Sequence, residues 1–244
     1  MSDEAPRNER PAPKHAKARE VGGGFARLLR RNGWILIPVV CVLAFAFVLT
    51  EVLGGDIARF DNMAYYVVVV RLRHAWLTPF MESFTALCSG VVILAMLVVI
   101  GAFAPGRRPA VCALVNLVAI VAINTLIKEF IQRPRPEGYR LIAETGYSFP
   151  SGHSMVSMAF YGFLAWLVWR YERNTIERWF YCLMIASAVV MVGVSRVYLG
   201  VHYASDVLAG FLVAMAWLAI YCKLIAPMIL ATPPERERLG DAAK

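Results

Sequence analysis

Apolar residues in this chain do not recur with the spacing of an amphipathic helix or a strand. They come in long, nearly unbroken runs separated by short polar segments. Six runs are close to the roughly 20 residues that carry a helix across a bilayer: 33–53, 84–104, 109–127, 153–170, 179–195 and 206–225. The fourth holds no acidic or basic residue from Ser154 to Trp169, and the fifth reads "WFYCLMIASAVVMVGVS" from Trp179. Lipid offers no partners for backbone N–H and C=O groups, so the runs predict helices. The expected fold is an all-α integral membrane protein with six transmembrane helices. Small residues at Ala186, Ser187, Ala188, Gly193, Ala209 and Gly210 predict close approach of the fifth and sixth. Segment 54–83 carries too many charges to span and reads as an interfacial helix, with Trp76 at headgroup depth.

Outside the runs lie a basic, Pro- and Gly-containing stretch over 1–32, predicted to be disordered, and a short tail over 229–244. Between them, 33–228 forms the membrane domain. Placing both termini in the cytoplasm puts 17 of the 25 Lys and Arg on that side, in accord with the positive-inside rule. The basic tail then faces anionic lipid, and its diluted charge argues against a nucleic-acid partner.

Composition agrees: 59% of the 244 residues are hydrophobic and 17% charged, against about 45–50% and about 25% in soluble domains. Five scattered cysteines, with no C-x-x-C spacing, predict neither a disulfide framework nor a metal site. With only four histidines, one of them in the tail, metal-assisted chemistry is not expected.

This topology changes the meaning of three polar clusters. "KEFIQRPRP" (128–136) ends the third run, "PSGH" (150–153) opens the fourth, and "SRVYLGVHYASD" (195–206) joins the fifth to the sixth. All three fall on the outer membrane face. Taken singly, each has a plain reading: a basic residue snorkels to the interface, Ser151 caps a helix, and His202 and Asp206 form an i,i+4 pair. Together they assemble a site. Lys128, Arg135 and Arg196 bring three positive charges to one place, where burial is costly without an anion. Ser151 and Gly152 stand at a helix N-terminus, whose free N–H groups bind oxyanions. His202, its tautomer fixed by Asp206, suits a nucleophile, and His153 suits a general acid and base.

Lys128-x6-Arg135-Pro136, Pro150-Ser151-Gly152-His153 and Ser195-Arg196-x5-His202-x3-Asp206 resemble the tripartite signature of the type-2 phosphatidic acid phosphatase superfamily, over about residues 35–225. The resemblance implies a membrane lipid phosphatase without a cofactor. In it His202 forms a phosphohistidine, Asp206 orients it, and His153 protonates the leaving oxygen and then activates water. Lys128, Arg135, Ser151, Gly152 and Arg196 hold the phosphoryl group, and Arg133 is an auxiliary contact without a firm role. The expected substrate is a membrane lipid phosphate or diphosphate presented on the outer face of the cytoplasmic membrane. Undecaprenyl diphosphate is the first choice; phosphatidylglycerophosphate and phosphatidic acid come next. The rival readings are a lipid phosphotransferase using the same phosphohistidine and a six-span transporter, which would need more polar residues within the runs than Asn116 and Asn124.

Overall fold

A computed structural model describes residues 14–104, 106–138 and 140–231, with side chains from Asn32 onward. The expected tail therefore lies outside the described residues over 1–13, as does 232–244 at the other end. From Lys14 the backbone is helical, where composition alone had suggested disorder; Ala16, Lys17, Ala18, Arg19 and Glu20 are mostly strong helix formers. Residues up to Leu36 and residues from Ile37 onward form separate units, and the second contains every helix from α2 on.

The described chain is all α. Helix α1 spans Lys14–Gly54, and α2 (Ala58–Tyr65) continues into a wide π-helical turn at Tyr66–Arg71. Next come α3 (Thr78–Ala86), α4 (Gly90–Phe103), α5 (Arg108–Ile131) and α6 (Gly152–Tyr171), followed by α7 (Thr175–Tyr198) and α8 (Ala204–Ile220). A second π-helical turn at Tyr221–Ile225 leads into α9 (Ala226–Leu230). Pro227 explains that turn: it has no N–H to donate, and its ring crowds the carbonyl one turn earlier.

Among the described residues, four stretches are long and apolar enough to cross a bilayer: Asn32–Gly54, Arg108–Ile131, Thr175–Tyr198 and Ala204–Leu230. Helices α3 and α4 reach that length and apolarity only as a pair, bent by 51°, as in a broken span or a re-entrant loop. The run expected at 84–104 is thus two helices. The break has a local cause: Ser89 caps α4 by accepting the Val92 N–H at 3.3 Å, and the Leu87 carbonyl takes the Tyr161 hydroxyl at 2.7 Å. Helix α6 is 20 residues long but less apolar than these four. It is the centre of the bundle, packed by α5, α7 and α8, and its buried face is built from Ser154, Ser157 and Ala159 as well as Phe160 and Phe163. A helix covered by protein does not need a lipid-facing surface. The chain is a multi-pass helical membrane protein.

The close helix approaches differ from those expected. Gly193 of α7 does meet Phe211 and Val207 of α8, but Gly210 abuts Ser151 and Ser154 at the start of α6. Ala209 packs with Val48 and Phe149, while Ala186 and Ser187 are exposed. Asn116 is structural: its amide donates to the Ala159 carbonyl at 2.7 Å and accepts the Trp217 indole N–H at 2.8 Å, tying α5 to α6 and α8. All five cysteines are free.

Candidate active site

Four helix ends meet at one pole of the bundle: the C-termini of α5 and α7 and the N-termini of α6 and α8. Helix α5 stops at Gln132, which adopts the left-handed conformation (φ 51°) and returns its N–H to the Lys128 carbonyl at 2.9 Å. Pro134 and Pro136 prevent the helix from resuming. The following loop is laced to itself by Ser148, whose N–H reaches the Arg133 carbonyl at 2.8 Å and whose hydroxyl reaches Pro134 O at 2.9 Å. It then feeds α6, capped by Ser151.

The eight residues singled out in the sequence converge here. Arg135 is buried and donates from Nη1 to Val201 O at 3.0 Å, and the same nitrogen lies 3.2 Å from His202 Nε2. Its Nε and Nη2 donate to the carbonyls of Gly146 and Thr145, each at 3.0 Å. Lys128 Nζ donates to Tyr147 O at 2.7 Å. Arg196, 1% exposed, donates from Nη1 to Thr85 Oγ1 at 2.7 Å and from Nη2 to Glu144 Oε1, while its Nε–H has no hydrogen-bond partner among the described residues. The His153 ring lies within electrostatic reach of Arg196, Glu144, His202 and Arg135. Gly152 opens α6 so close to Asn124 that a Cβ would meet its Oδ1 at 3.0 Å.

The Ser151 hydroxyl acts as a helix cap, accepting the Ser154 N–H at 3.4 Å and its hydroxyl at 3.0 Å. The Ser151 N–H donates to the Asp206 carbonyl at 3.0 Å, locking the starts of α6 and α8 together.

His202 is buried in the loop before α8, so it and Asp206 do not share a helix face as their spacing suggested. Asp206 sits in the first turn of α8 and folds back over it. Its Oδ2 accepts the Tyr203 N–H at 2.9 Å and lies 3.4 Å from His202 Nδ1. Burial pushes the His202 imidazole down to about 4, against the opposing pull of Asp206 and with added repulsion from Arg196 and Arg135. The ring is therefore neutral at physiological pH, with Nε2 turned toward Arg135.

Three residues besides these eight belong to the site: Glu144 and Asp61, which were not anticipated, and Arg133, expected only as an auxiliary contact. Glu144, on the loop after α5, lies between Arg196 and Arg135, with Oε2 3.7 Å from the latter. Partial burial works to raise its carboxyl, but Arg196 outweighs this and holds it below the ordinary value. Asp61, from α2, is buried and reaches Arg133 Nη2 at 2.9 Å. Arg133 in turn donates to Asp206 Oδ1 at 2.6 Å, so it faces the carboxylate next to His202. Neither Glu144 nor Asp61 lies in a local pattern a sequence could reveal. Among the described residues, no group of three or more His, Cys, Asp or Glu is placed to hold a metal ion.

The fold and the site together define a multi-pass helical membrane protein whose basic cradle surrounds a buried His–Asp pair. The profile of the PAP2 superfamily matches residues 109–227. Phosphatidylglycerophosphatase B of Bacillus subtilis is 32% identical over 176 residues, 70% of this chain and 87% of its own. An undecaprenyl-diphosphatase of Sulfolobus acidocaldarius is 25% identical over 199 residues, 76% of this chain and 87% of its own. The crystal structure of a transmembrane PAP2-type phosphatidylglycerolphosphate phosphatase from Bacillus subtilis superposes with a TM-score of 0.70 at 28% identity, covering 76% of this chain and 94% of that one. The chain belongs to the PAP2 superfamily.

Proposed function

We propose that the protein hydrolyses a membrane lipid phosphate or diphosphate through a phosphohistidine on His202. The carrying observation is the Arg196 guanidinium: it is almost wholly buried beside Arg135 and His153, and its Nε–H lacks a hydrogen-bond partner among the described residues. Buried donors without acceptors are rare, and a planar guanidinium fork fits phosphoryl oxygens. Family membership and the names of the relatives support the same chemistry.

In the first step the lone pair on neutral His202 Nε2 attacks phosphorus, and the bond to the leaving oxygen breaks. His153 gives that oxygen its proton when the leaving group is an alcohol. Lys128, Arg135, Arg196 and the N–H groups at the start of α6 carry the charge on the equatorial oxygens. Asp206 stabilises the cationic imidazole as it forms. In the second step His153 takes a proton from water, the oxygen attacks phosphorus, and the P–N bond breaks to release phosphate and neutral His202. In this reading the pole bearing the site faces the outside of the cytoplasmic membrane, with six passes and both termini within, and the distribution of Lys and Arg supports that orientation. The reading divides the chain into a basic tail (1–32), the membrane phosphatase domain (33–228) and a short cytoplasmic tail (229–244).

The substrate class is a lipid phosphate or diphosphate, with undecaprenyl diphosphate placed before phosphatidylglycerophosphate and phosphatidic acid. The test is a panel of these lipids presented to purified protein and to two variants. His202→Ala is expected to abolish turnover of all of them and to leave no acid-labile phosphoenzyme. His153→Ala is expected to lower kcat/KM by ~10²–10⁴-fold for a monoester, whose alkoxide leaving group needs a proton, and much less for a diphosphate. Turnover by His202→Ala would overturn the mechanism.

A further inference from the structure

Asp61 lies outside the superfamily signature and the matched span, yet among the described residues it is one of the few fully enclosed charges, 4% exposed. Both oxygens are engaged. Oδ1 accepts the backbone N–H of Ser205 at 2.9 Å, in the first turn of α8. Oδ2 accepts the Ser205 hydroxyl at 2.7 Å and the Arg133 Nη2–H at 2.9 Å. Arg133 is held on three sides. One nitrogen reaches Asp61, the other donates to Asp206 Oδ1 at 2.6 Å and to Ser205 Oγ at 2.8 Å, and its guanidinium lies 4.1 Å from the centre of the Tyr203 ring. The chain of contacts ends at His202 Nδ1, on the far oxygen of Asp206.

Charge explains why this chain needs its distal end. Arg133 sits closer to Asp206 than His202 does, 2.6 Å against 3.4 Å. An arginine with no other partner would draw the carboxylate to itself and weaken its hold on the imidazole. Asp61 neutralises that arginine and pins it from the opposite side, so the charge of Asp206 remains available to His202. The same carboxylate fixes Ser205 and with it the first turn of α8, on which Asp206 is carried.

We propose that Asp61 is a positioning residue for the reaction, acting through Arg133 and Asp206 to orient the His202 imidazole and sustain its nucleophilicity. The role rests on His202 being the nucleophile. It also involves the segment before the signature in the chemistry, since α2 supplies the outermost member of the relay that serves the reacting nitrogen. That helix is otherwise peripheral, with neighbouring Phe60 and Met63 exposed.

The test compares phosphoenzyme formation on rapid mixing with binding of inorganic phosphate, which samples the cradle without nucleophilic attack. Asp61→Asn keeps the shape and removes the charge. It is expected to slow phosphoenzyme formation by ~10–100-fold, the scale on which misplaced groups act. The inhibition constant for inorganic phosphate should stay within about twofold, because Lys128, Arg135 and Arg196 are not in the relay. Adding Arg133→Gln to Asp61→Asn should recover part of the loss, at least about fivefold, since the arginine left without its counter-charge is the source of the harm. A merely structural Asp61 would instead make the double variant worse and shift phosphate binding with it. Arg133→Lys, which keeps the charge and loses the two-sided fork, is the second probe should Asp61→Asn not assemble; the same slowing at unchanged phosphate affinity is expected. Normal phosphoenzyme formation in the folded variant, or a double variant no better than the single, overturns the proposal. If His202→Ala still forms phosphoenzyme, the nucleophile assignment fails and the positioning role with it. If His202→Ala is inert and Asp61→Asn is normal, only the positioning role fails.

Discussion

Gly210→Ala would place one methyl group where α8 touches the start of α6. A Cβ at this position meets the Ser151 carbonyl oxygen at 2.8 Å, the Ser154 Cβ at 3.1 Å and the Met155 Cγ at 3.4 Å. Ordinary contact begins near 3.4 Å, so about 0.6 Å must be found, and the obstructing atom is backbone. Separating the helices by that amount stretches the Ser151 N–H bond to the Asp206 carbonyl from 3.0 Å to about 3.6 Å, beyond hydrogen-bonding range. Overpacking costs ~1–3 kcal/mol and the lost bond about 1 kcal/mol more. The larger consequence is catalytic. His153 rides on α6, and Asp206, which holds His202, rides on α8, so the two histidines separate. A displacement of this size is expected to lower kcat/KM by ~10–100-fold. Turnover of a short-chain lipid phosphate in detergent measures this, with thermal inactivation in parallel. Gly162→Ala is the control: its Cβ would lie nominally closer to a neighbour, 2.6 Å, but that neighbour is Leu218 Cδ2, the end of a flexible side chain. It should retain near-normal turnover. Turnover by Gly210→Ala within twofold of the parent, or equal damage from both alanines, would refute the reasoning.

Three further outcomes are expected. The His202 imidazole, lowered by burial to about 4, should stay neutral in ¹⁵N NMR from pH 8 to pH 5. Because the unfolded ring binds a proton near 6.5, stability should fall as pH drops from about 6.5 toward 4; a His202 midpoint near 6.5 would contradict this. Glu144→Gln removes the carboxylate that competes for Arg196 and Arg135, so vanadate should inhibit about tenfold more tightly, ~1.4 kcal/mol, and weaker inhibition would disprove the competition. In a background without native cysteines, a thiol introduced at Glu137 should react with an impermeant reagent in intact cells while one at Asn174 should not, and the reverse pattern would invert the proposed orientation.

Apolar run length and the order of the polar clusters made the helical membrane class and the meeting of α5, α6, α7 and α8 at one pole legible, because both depend on local composition and on alternation of direction. The break between α3 and α4 was hidden, since it depends on Ser89 as a cap and on a hydroxyl from Tyr161, 74 residues away. Helix α6 illustrates a different limit: hydropathy reports exposure to lipid, and a central helix clothed by its neighbours keeps serines. The His202–Asp206 contact was anticipated from i,i+4 spacing, yet the geometry is that of a loop residue and a first-turn aspartate. Asp61 and Glu144 were not identified at all. Each acts through a pairing across 52 to 144 residues, and such pairings leave no periodic trace in one sequence.

Two cations of the site, Arg135 and Lys128, are held in place mainly by main chain. Carbonyls of Thr145, Gly146 and Tyr147, three in succession, receive Arg135 and Lys128, and Val201 supplies a fourth. A carbonyl is the same in every residue, so substitution at Thr145 or Tyr147 leaves the acceptor where it was. Loss or gain of a single residue would displace all three acceptors relative to their cations at once. Thr145 and Tyr147 are thus expected to drift freely in identity, Gly146 to stay glycine because its φ is 73°, and the stretch to vary hardly at all in length, a rule of inheritance that a library of one-residue deletions would expose.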